Sequence, residues 1–268
     1  MLLIGDDIKK GEIVFNKGKQ LHSQDIGALA SVGYLYVDVY KKPKISVIST
    51  GDEIIPPDSE LVDGCVRDIN TYSLCSKITS WGGDIISKSV INDDYKKIKK
   101  ATLEAINTSD IVFISGGSSV GEKDYTYSIL EEIKGSDVLV HGLKFKPGKP
   151  TIVANVGGKP VIGLPGHPSS AFLVLIQMLE ILFEVYYKTR PKKEYIEAKL
   201  DEDIFLSPGR KTMQMVSLKD SDNGVIASVI HGKSGMISLI SKAYGYTVIE
   251  LGCEVIKKGE TVKVYPLR

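Results

Sequence analysis

The sequence predicts an α/β fold, a mostly parallel sheet with helices on both faces, followed by a small β-rich C-terminal domain. Three observations carry this expectation. From Lys44 onward, strand-like apolar runs alternate with amphipathic helical stretches. The runs end in loops rich in glycine and proline, placed where open α/β sheets bind ligands, at the carboxyl ends of their strands. After Tyr187 the pattern changes to short alternating strands separated by tight turns.

In chain order, Lys44–Ser49 reads as the first buried strand, and Asn70 reads as the N-cap of a helix that stops near Gly82-Gly83. Asp84–Ile91 is a second strand. Asp93–Asn107 is a helix with Ile98, Ala101, Leu103 and Ile106 towards one side and lysines elsewhere. Asp110-Ile-Val-Phe-Ile114 reads as a fully buried strand. A glycine loop follows, then a helix over Tyr125–Ile133, strands near 138 and 151, and the strand-like Pro160-Val-Ile162. A long apolar helix begins near Ser169 and runs to Tyr187, and Lys188-Thr-Arg-Pro-Lys-Lys193 is a charged, proline-broken linker. Beyond it, Thr212–Leu218 and Gly224–Ile230 read as strands, with turns at Asp222-Asn-Gly224 and Lys258-Gly259 and a short helix from Ser234. The expected division is 1–40, 41–189 and 190–268.

Composition narrows the function. In 268 residues, 34 Lys and Arg face 33 Asp and Glu, so no global field recruits nucleic acid or an acidic membrane, and local basic loops must bind any anion. Cys65, Cys75 and Cys253 are odd in number and lack C-x-x-C spacing, which suggests neither a disulfide framework nor a zinc cluster and fits a reducing cytoplasm. Residues 1–20 carry early charges and lack the apolar core of a signal peptide. The stretch 170–187 is apolar enough to resemble a membrane span. Gln177, Glu180 and Glu184 argue for a core helix instead, because a charge at span depth costs about 2.5–3.5 kcal/mol.

The chemistry concentrates in loops. Ser115-Gly-Gly-Ser-Ser-Val-Gly-Glu-Lys-Asp124 leaves a strand end with three glycines, which let several backbone N–H groups approach one anion. Gly116, Gly117, Ser118 and Ser119 are therefore expected to meet phosphate, and Asp124 offers a hard oxygen for a magnesium ion beside it. Lys146-Pro-Gly-Lys-Pro150 supplies Lys146 and Lys149 as point charges for phosphate or another oxyanion. In Gly163-Leu-Pro-Gly-His-Pro168, Pro165 and Pro168 fix the backbone ahead of the long helix, and Ser169 and Ser170 sit where helix N–H groups favour an oxyanion. Asp52 and Glu53 follow the first strand, where a carboxylate can place a water, a metal or an amine, or simply cap the turn. Singly, each loop also reads as a rigid turn. His22, His141 and His231 are scattered and suggest no metal trio, and Trp81 at a helix end reads as packing.

The set Ser49-Thr-Gly-Asp-Glu53, Asp68-Ile-Asn70, Ser115–Asp124, Lys146–Pro150 and Gly163–Ser169 resembles the MoeA family, the molybdopterin molybdenumtransferases that include the gephyrin E domain. The resemblance extends over nearly all of the chain, including Lys233-Ser-Gly-Met236 in the C-terminal part. It implies a molybdopterin-binding fold and the insertion of molybdate into adenylylated molybdopterin, with release of AMP and with Mg2+ as cofactor. It further implies a homodimer, with molybdopterin adenylyltransferase as a partner. By the same resemblance Glu53, Asp68, Asp124 and Lys146 are the catalytic candidates. Asn70, the glycine-loop residues, Lys149, Pro165, Pro168, Ser169 and Ser170 are the binding candidates. The mechanism it implies is electrostatic and needs no side-chain nucleophile.

The sequence departs from the family pattern at Ile69, Ser118, Gly142 and His167. Lys144 is placed by strand alternation on the same face as Gly142 and Lys146, where it compensates for the lysine that Gly142 replaces. The family carries a long N-terminal portion ahead of Gly5-Asp-Asp-Ile8, which is expected to form one wall of the cleft. The sequence leaves an excised fragment, a split-gene product and a natural short form open. Two other functions compete: a molybdopterin adenylyltransferase, which shares the sheet and a similar glycine loop but not the C-terminal domain, and a non-catalytic molybdopterin-binding or scaffold module.

Overall fold

The computed structural model describes residues 3–116, 124–189, 193–206, 209–222 and 224–267. Its elements in chain order are α1 (Ser23–Ser31), β1 (Lys44–Thr50), β2 (Ile54–Ile55), β3 (Val66–Arg67), α2 (Asn70–Ser80), β4 (Asp84–Ile91), α3 (Tyr95–Thr108) and β5 (Ile111–Ser115). There follow α4 (Tyr125–Glu132), β6 (Ser136–His141), β7 (Phe145–Lys146), β8 (Ile152–Val156), β9 (Lys159–Leu164) and α5 (Pro168–Tyr187). The last are β10 (Ile196–Leu200), β11 (Ile204–Phe205), β12 (Lys211–Ser221), β13 (Gly224–Val229), α6 (Ser238–Lys242), β14 (Gly245–Ile249), β15 (Val255–Ile256) and β16 (Thr261–Pro266).

By contacts the chain forms two compact units, one of residues 1–41 with 180–191 and one of 42–179 with 192–268. In the smaller unit, Asp25 in the first turn of α1 accepts the His22 backbone N–H at 2.9 Å and the Lys19 ammonium at 2.6 Å. The lysine, then the backbone N–H, hold the Asp25 carboxyl below the usual carboxylate range.

In the larger unit the first sheet has the order β4-β1-β5-β9-β8-β6. β4, β1, β5 and β9 are parallel, and the two central strands β1 and β5 are buried as a parallel sheet covered on both faces demands. β1 is buried from Ile45 onward and β5 along its whole length, because helices cover both faces of the sheet centre. β8 alone runs against the others, antiparallel to both β9 and β6, since β8 and β9 are joined by a two-residue hairpin at Gly157-Gly158. Both glycines have positive φ, +59° and +86°, as a hairpin turn matched to strand twist demands. Ile98, Ile106, Ile129 and Leu130 from α3 and α4 close over one face against Ile48, Val112, Ile114 and Ile152.

The second sheet runs β13-β10-β16-β14-β12-β7, and β12 also pairs with β13. Five strands therefore close on themselves, which removes the open edges that favour aggregation. Ala198, Leu200, Val216, Ala227 and Val264 fill the interior. A further cluster joins Phe172, Leu173 and Ile176 of α5 to Met213, Met215, Leu239, Tyr246 and Leu267, so the β part is welded to the long helix. Helix α5 is the one described helix long and apolar enough to cross a membrane, yet Ala171–Ile176 are all buried in this protein core.

Three expectations need correction. The run 138–145 does not continue as one strand. It breaks after His141, where Gly142 takes a φ of +96°, and β7 leaves the first sheet to pair with β12 of the second. The face-sharing of Gly142, Lys144 and Lys146 therefore fails, because no strand connects them. The short helix expected from Ser234 begins only at Ser238, because Ser234 is held in another contact described below. Asn70 begins α2 but does not cap it. Its side chain turns away, and Asp68 takes the capping role by accepting the Thr71 N–H at 3.0 Å.

Candidate functional site

β1, β5 and β9 end side by side, and the loops after each of them leave from this edge, where β8 also begins after the Lys146–Pro150 loop. Asp68 and Asn70 approach from a neighbouring connection. That connection is zipped to the loop after β1 by backbone bonds from Val66 N to Glu53 O (2.7 Å) and from Asp68 N to Ile55 O (2.8 Å). Glu53 is thereby tied to the Asp68 segment through its backbone, with its side chain exposed. Asp68 is buried, and Ser49 and Thr71 hydroxyls meet beneath it at 2.8 Å.

Asn70 links two of the loops directly. Its Nδ2 donates to Ser115 Oγ at 2.7 Å and to the Gly166 carbonyl at 2.8 Å, while Ser115 Oγ donates to the Pro165 carbonyl at 3.3 Å. The glycine loop and the Gly-Leu-Pro-Gly-His-Pro loop are thus locked at their roots. Gly116 sits deep in this junction. Its φ is +103°, and a Cβ built there would lie 2.3 Å from the Thr50 carbonyl oxygen, so only glycine allows β1 and β5 to end this close. Gly117, Ser118 and Ser119 lie outside the described residues.

Asp124 is the N-cap of α4. Its Oδ1 accepts the Tyr127 N–H at 3.0 Å, and its Oδ2 lies 3.2 Å from His141 Nε2. The His141 ring stacks on Tyr127 at 4.0 Å and 13°, and Tyr127 in turn donates its hydroxyl to Glu131. The Glu131 hydrogen bond, then burial, push the Tyr127 phenol upward. His141 was dismissed as scattered in the sequence. The edge strand β6 brings it back beside α4, 17 residues from its partner, and no local signal announces that return.

Lys146 and Lys149 are both exposed on the loop that leads back from β7 to β8. Its Gly148 packs so closely on α5 that an added Cβ would lie 2.4 Å from Val174 Cγ2. The loop is therefore fixed against the helix whose start carries Ser169 and Ser170. At that start the expectation of free helix donors needs correction. Ser169 donates both its N–H (3.1 Å) and its Oγ (2.8 Å) to the carbonyl of Ser234, and Ser234 Oγ meets His167 Nδ1 at 3.0 Å. Ser170 is buried, Pro165 is buried, and Pro168 is half-buried as the first residue of α5. The segment before α6 thus docks on the loop that opens α5, and Ser234, marked in the sequence only as family-like and as a helix start, is the residue that makes the contact.

Beyond the loops, Asp93 stands at the carboxyl end of β4 and donates its N–H to Asp52 Oδ1 at 3.0 Å. Burial, then Asp52 and Glu53, hold the Asp93 carboxyl above its usual range. Burial also pushes the Cys75 thiol on α2 up to about 11. No cluster of three or more His, Cys, Asp or Glu with metal-holding geometry occurs among the described residues.

Residues 46–184 match the model of the probable molybdopterin binding domain, and residues 197–267 match the MoeA C-terminal region, domain IV. The chain belongs to the MoeA family. A molybdopterin molybdenumtransferase of Haemophilus influenzae is 30% identical over 267 residues, covering 98% of this chain and 66% of that protein. A Staphylococcus aureus molybdopterin molybdenumtransferase is 29% identical, covering 98% of this chain and 63% of its own length. Among solved structures, a MoeA molybdopterin biosynthesis protein from Pyrococcus horikoshii superposes with a TM-score of 0.87 at 36% identity, covering 98% of this chain and 64% of that one. This MoeA-family chain therefore spans about two thirds of the length of the relatives it matches. In it, the docking of Ser234 on His167 and Ser169 joins the domain-IV match to the molybdopterin-domain match.

Proposed function

We propose that this chain carries the ligand-binding loops of a molybdopterin molybdenumtransferase, which inserts molybdate into adenylylated molybdopterin with release of AMP. One observation carries the reading. Loops after β5 and β9 are locked together by Asn70, and domain IV is seated on the second of them through Ser234. The competing adenylyltransferase reading has no counterpart for the domain-IV half of that contact, which the match over residues 197–267 supports.

In this reading the glycine loop from Gly116 to Ser119 receives phosphate, and Lys146 and Lys149 supply positive charge for phosphate or molybdate. Glu53 and Asp68 border the pterin side with Asn70. Pro165 and Pro168 shape the turn rather than touch ligand, and Ser170 lies behind Ser169 at the start of α5. The fit of magnesium rests on Asp124. That carboxylate is 25% exposed, and among the described residues its Oδ2 faces one side-chain donor, His141. One carboxylate is a sparse donor set, which suits an ion that arrives on phosphate oxygens and keeps waters. Bound there, magnesium would neutralise phosphate charge. The protein groups orient the ligand and fix the loops around it.

The same reading makes the protein a cytoplasmic homodimer that receives its substrate from a molybdopterin adenylyltransferase. Ile181 and Val185, 57% and 73% exposed and one helical turn apart on α5, support self-association, which light scattering at micromolar concentration would check. The function is tested by incubating the chain with adenylylated molybdopterin, molybdate and magnesium and measuring AMP. Molybdate-dependent AMP release supports the proposal. Binding of the adenylylated pterin without any AMP release would favour a binding module.

A further inference from the structure

We infer that Asn70 is a positioning residue that sets the separation of the two anion-binding loops, beyond any contact of its own with ligand. The inference rests on the function proposed above for those loops. The amide nitrogen has two hydrogens and uses each on a different loop: Ser115 Oγ at the end of β5, and Gly166 O, 96 residues further along the chain. Both bonds are short, and Asn70 is only 6% exposed, so they compete little with water. Ser115 extends the lock by donating to Pro165 O, the neighbour of the second carbonyl. A plain helix start needs none of this, because Asp68 already caps α2.

The remaining acceptor, Asn70 Oδ1, is buried and has no hydrogen-bond partner among the described residues. An unmet buried acceptor costs about 1–3 kcal/mol, so this geometry is kept at some expense. It suits an amide held by its nitrogen for the sake of the loops, with its oxygen left to accept from an N–H or water that enters with ligand. Neither Asp nor Ser can reproduce the function. Asp would put an acceptor against the Gly166 carbonyl and could hold Ser115 only by taking the proton that Ser115 gives to Pro165 O, and Ser has one donor for two targets.

The test uses AMP with magnesium as the calorimetric probe of the whole chain, with amide hydrogen exchange over 111–116 and 161–169 as a ligand-free readout. Asn70→Ala and the nearly isosteric Asn70→Asp are each expected to weaken AMP about tenfold and to speed exchange in both segments. Ser115→Ala is expected to be non-additive with Asn70→Ala, so that the double variant binds no worse than Asn70→Ala alone. Leu74→Ala, which removes a fully buried side chain from the same helix, should lower Tm while leaving AMP affinity unchanged. A merely structural Asn70 would behave like Leu74. Affinity within twofold of wild type in both Asn70 variants, or additivity with Ser115→Ala, would overturn the inference. If wild type itself binds no AMP, the proposed function is what falls. The exchange data then decide the positioning role: unchanged protection in both segments rejects it, and coupled loss in both supports it.

Discussion

Gly116→Ala should be among the most damaging single-methyl changes in the chain, and its cost can be built from two separable parts. The first is conformational. Gly116 has φ +103°, and an L-residue held in positive φ costs roughly 1–2 kcal/mol. The second is steric. The added Cβ would fall 2.3 Å from the Thr50 carbonyl oxygen and 2.8 Å from Thr50 Oγ1, both on the end of β1, a strand buried from Ile45 onward. Overpacking of this kind costs about 1–3 kcal/mol. The sum is about 2–5 kcal/mol, which for a chain of this size lowers Tm by on the order of 10 °C. Gly135→Ala is the matched control, since Gly135 has φ +83° and an added Cβ meets nothing within 4 Å. It should lose only the conformational part. Thermal unfolding followed by circular dichroism measures both variants, and AMP calorimetry should show weakened binding for Gly116→Ala alone. Equal Tm losses in the two variants would refute the close approach of β1 and β5 at this point.

Two changes at Asp124 separate its helix cap from its proposed magnesium contact, and one at Lys77 tests a pH dependence. Asp124→Asn keeps an acceptor for the Tyr127 N–H and should hold Tm near wild type while abolishing the magnesium dependence of AMP binding. Asp124→Ala loses the cap as well and should cost about 0.5–2 kcal/mol, and a Tm drop in both variants alike would contradict this. Lys77 is buried with its Nζ on the Leu267 carbonyl at 2.7 Å, and desolvation holds its pKa below 10.5. The folded state therefore binds fewer protons than the unfolded state between that lowered pKa and 10.5, so stability from this group rises with pH across the window. Lys77→Met should flatten that rise in urea titrations at stepped alkaline pH, and an identical pH slope in both proteins would contradict the assignment.

Much of the fold was legible because its strongest signals are local. β5 announced itself as an almost unbroken apolar run because both of its faces are covered, β1 by its β-branched residues Ile45, Val47 and Ile48, and α5 by length and composition. The hairpin at Gly157-Gly158 carries its own turn chemistry, yet its consequence, one reversed strand next to the edge of a parallel sheet, was missed. Lys146 was misplaced because strand alternation assumes that a strand stays in one sheet. β7 crosses to another, and nothing in its two residues records the partner 66 positions away. The misreading of Asn70 has a different cause. An Asn at a helix start is degenerate between a cap and a long-range donor, and Asp68 two positions earlier can cap equally well. The helix from Ser234 failed because a tertiary contact overrode local propensity.

The Ser234 contact also changes how an anion can be held. The start of α5 looked like a ready oxyanion site, on the argument that a helix leaves its first N–H groups unused. Here the Ser169 N–H and hydroxyl both point at a carbonyl oxygen of the other sheet's segment. A neutral carbonyl in that place partly satisfies the helix end and stands where an oxyanion would otherwise sit, so the two cannot share the Ser169 donors in full. Under the proposed function, anion binding would therefore draw on the sequence-nominated glycine loop and on Lys146 and Lys149 rather than on the Ser169 donors, with the helix dipole acting at longer range. The placement of Lys146 in turn depends on domain IV, because Lys146 pairs with β12, while Gly148 beside Lys149 is packed on α5. A change in domain IV that frees Ser234, such as a shortened 231–236 segment, should thus alter anion affinity without touching any residue that contacts the anion. That expectation joins the proposed function to the hydrogen bonds: the loop that reads as a binding element in sequence is, in the folded chain, partly occupied as a joint.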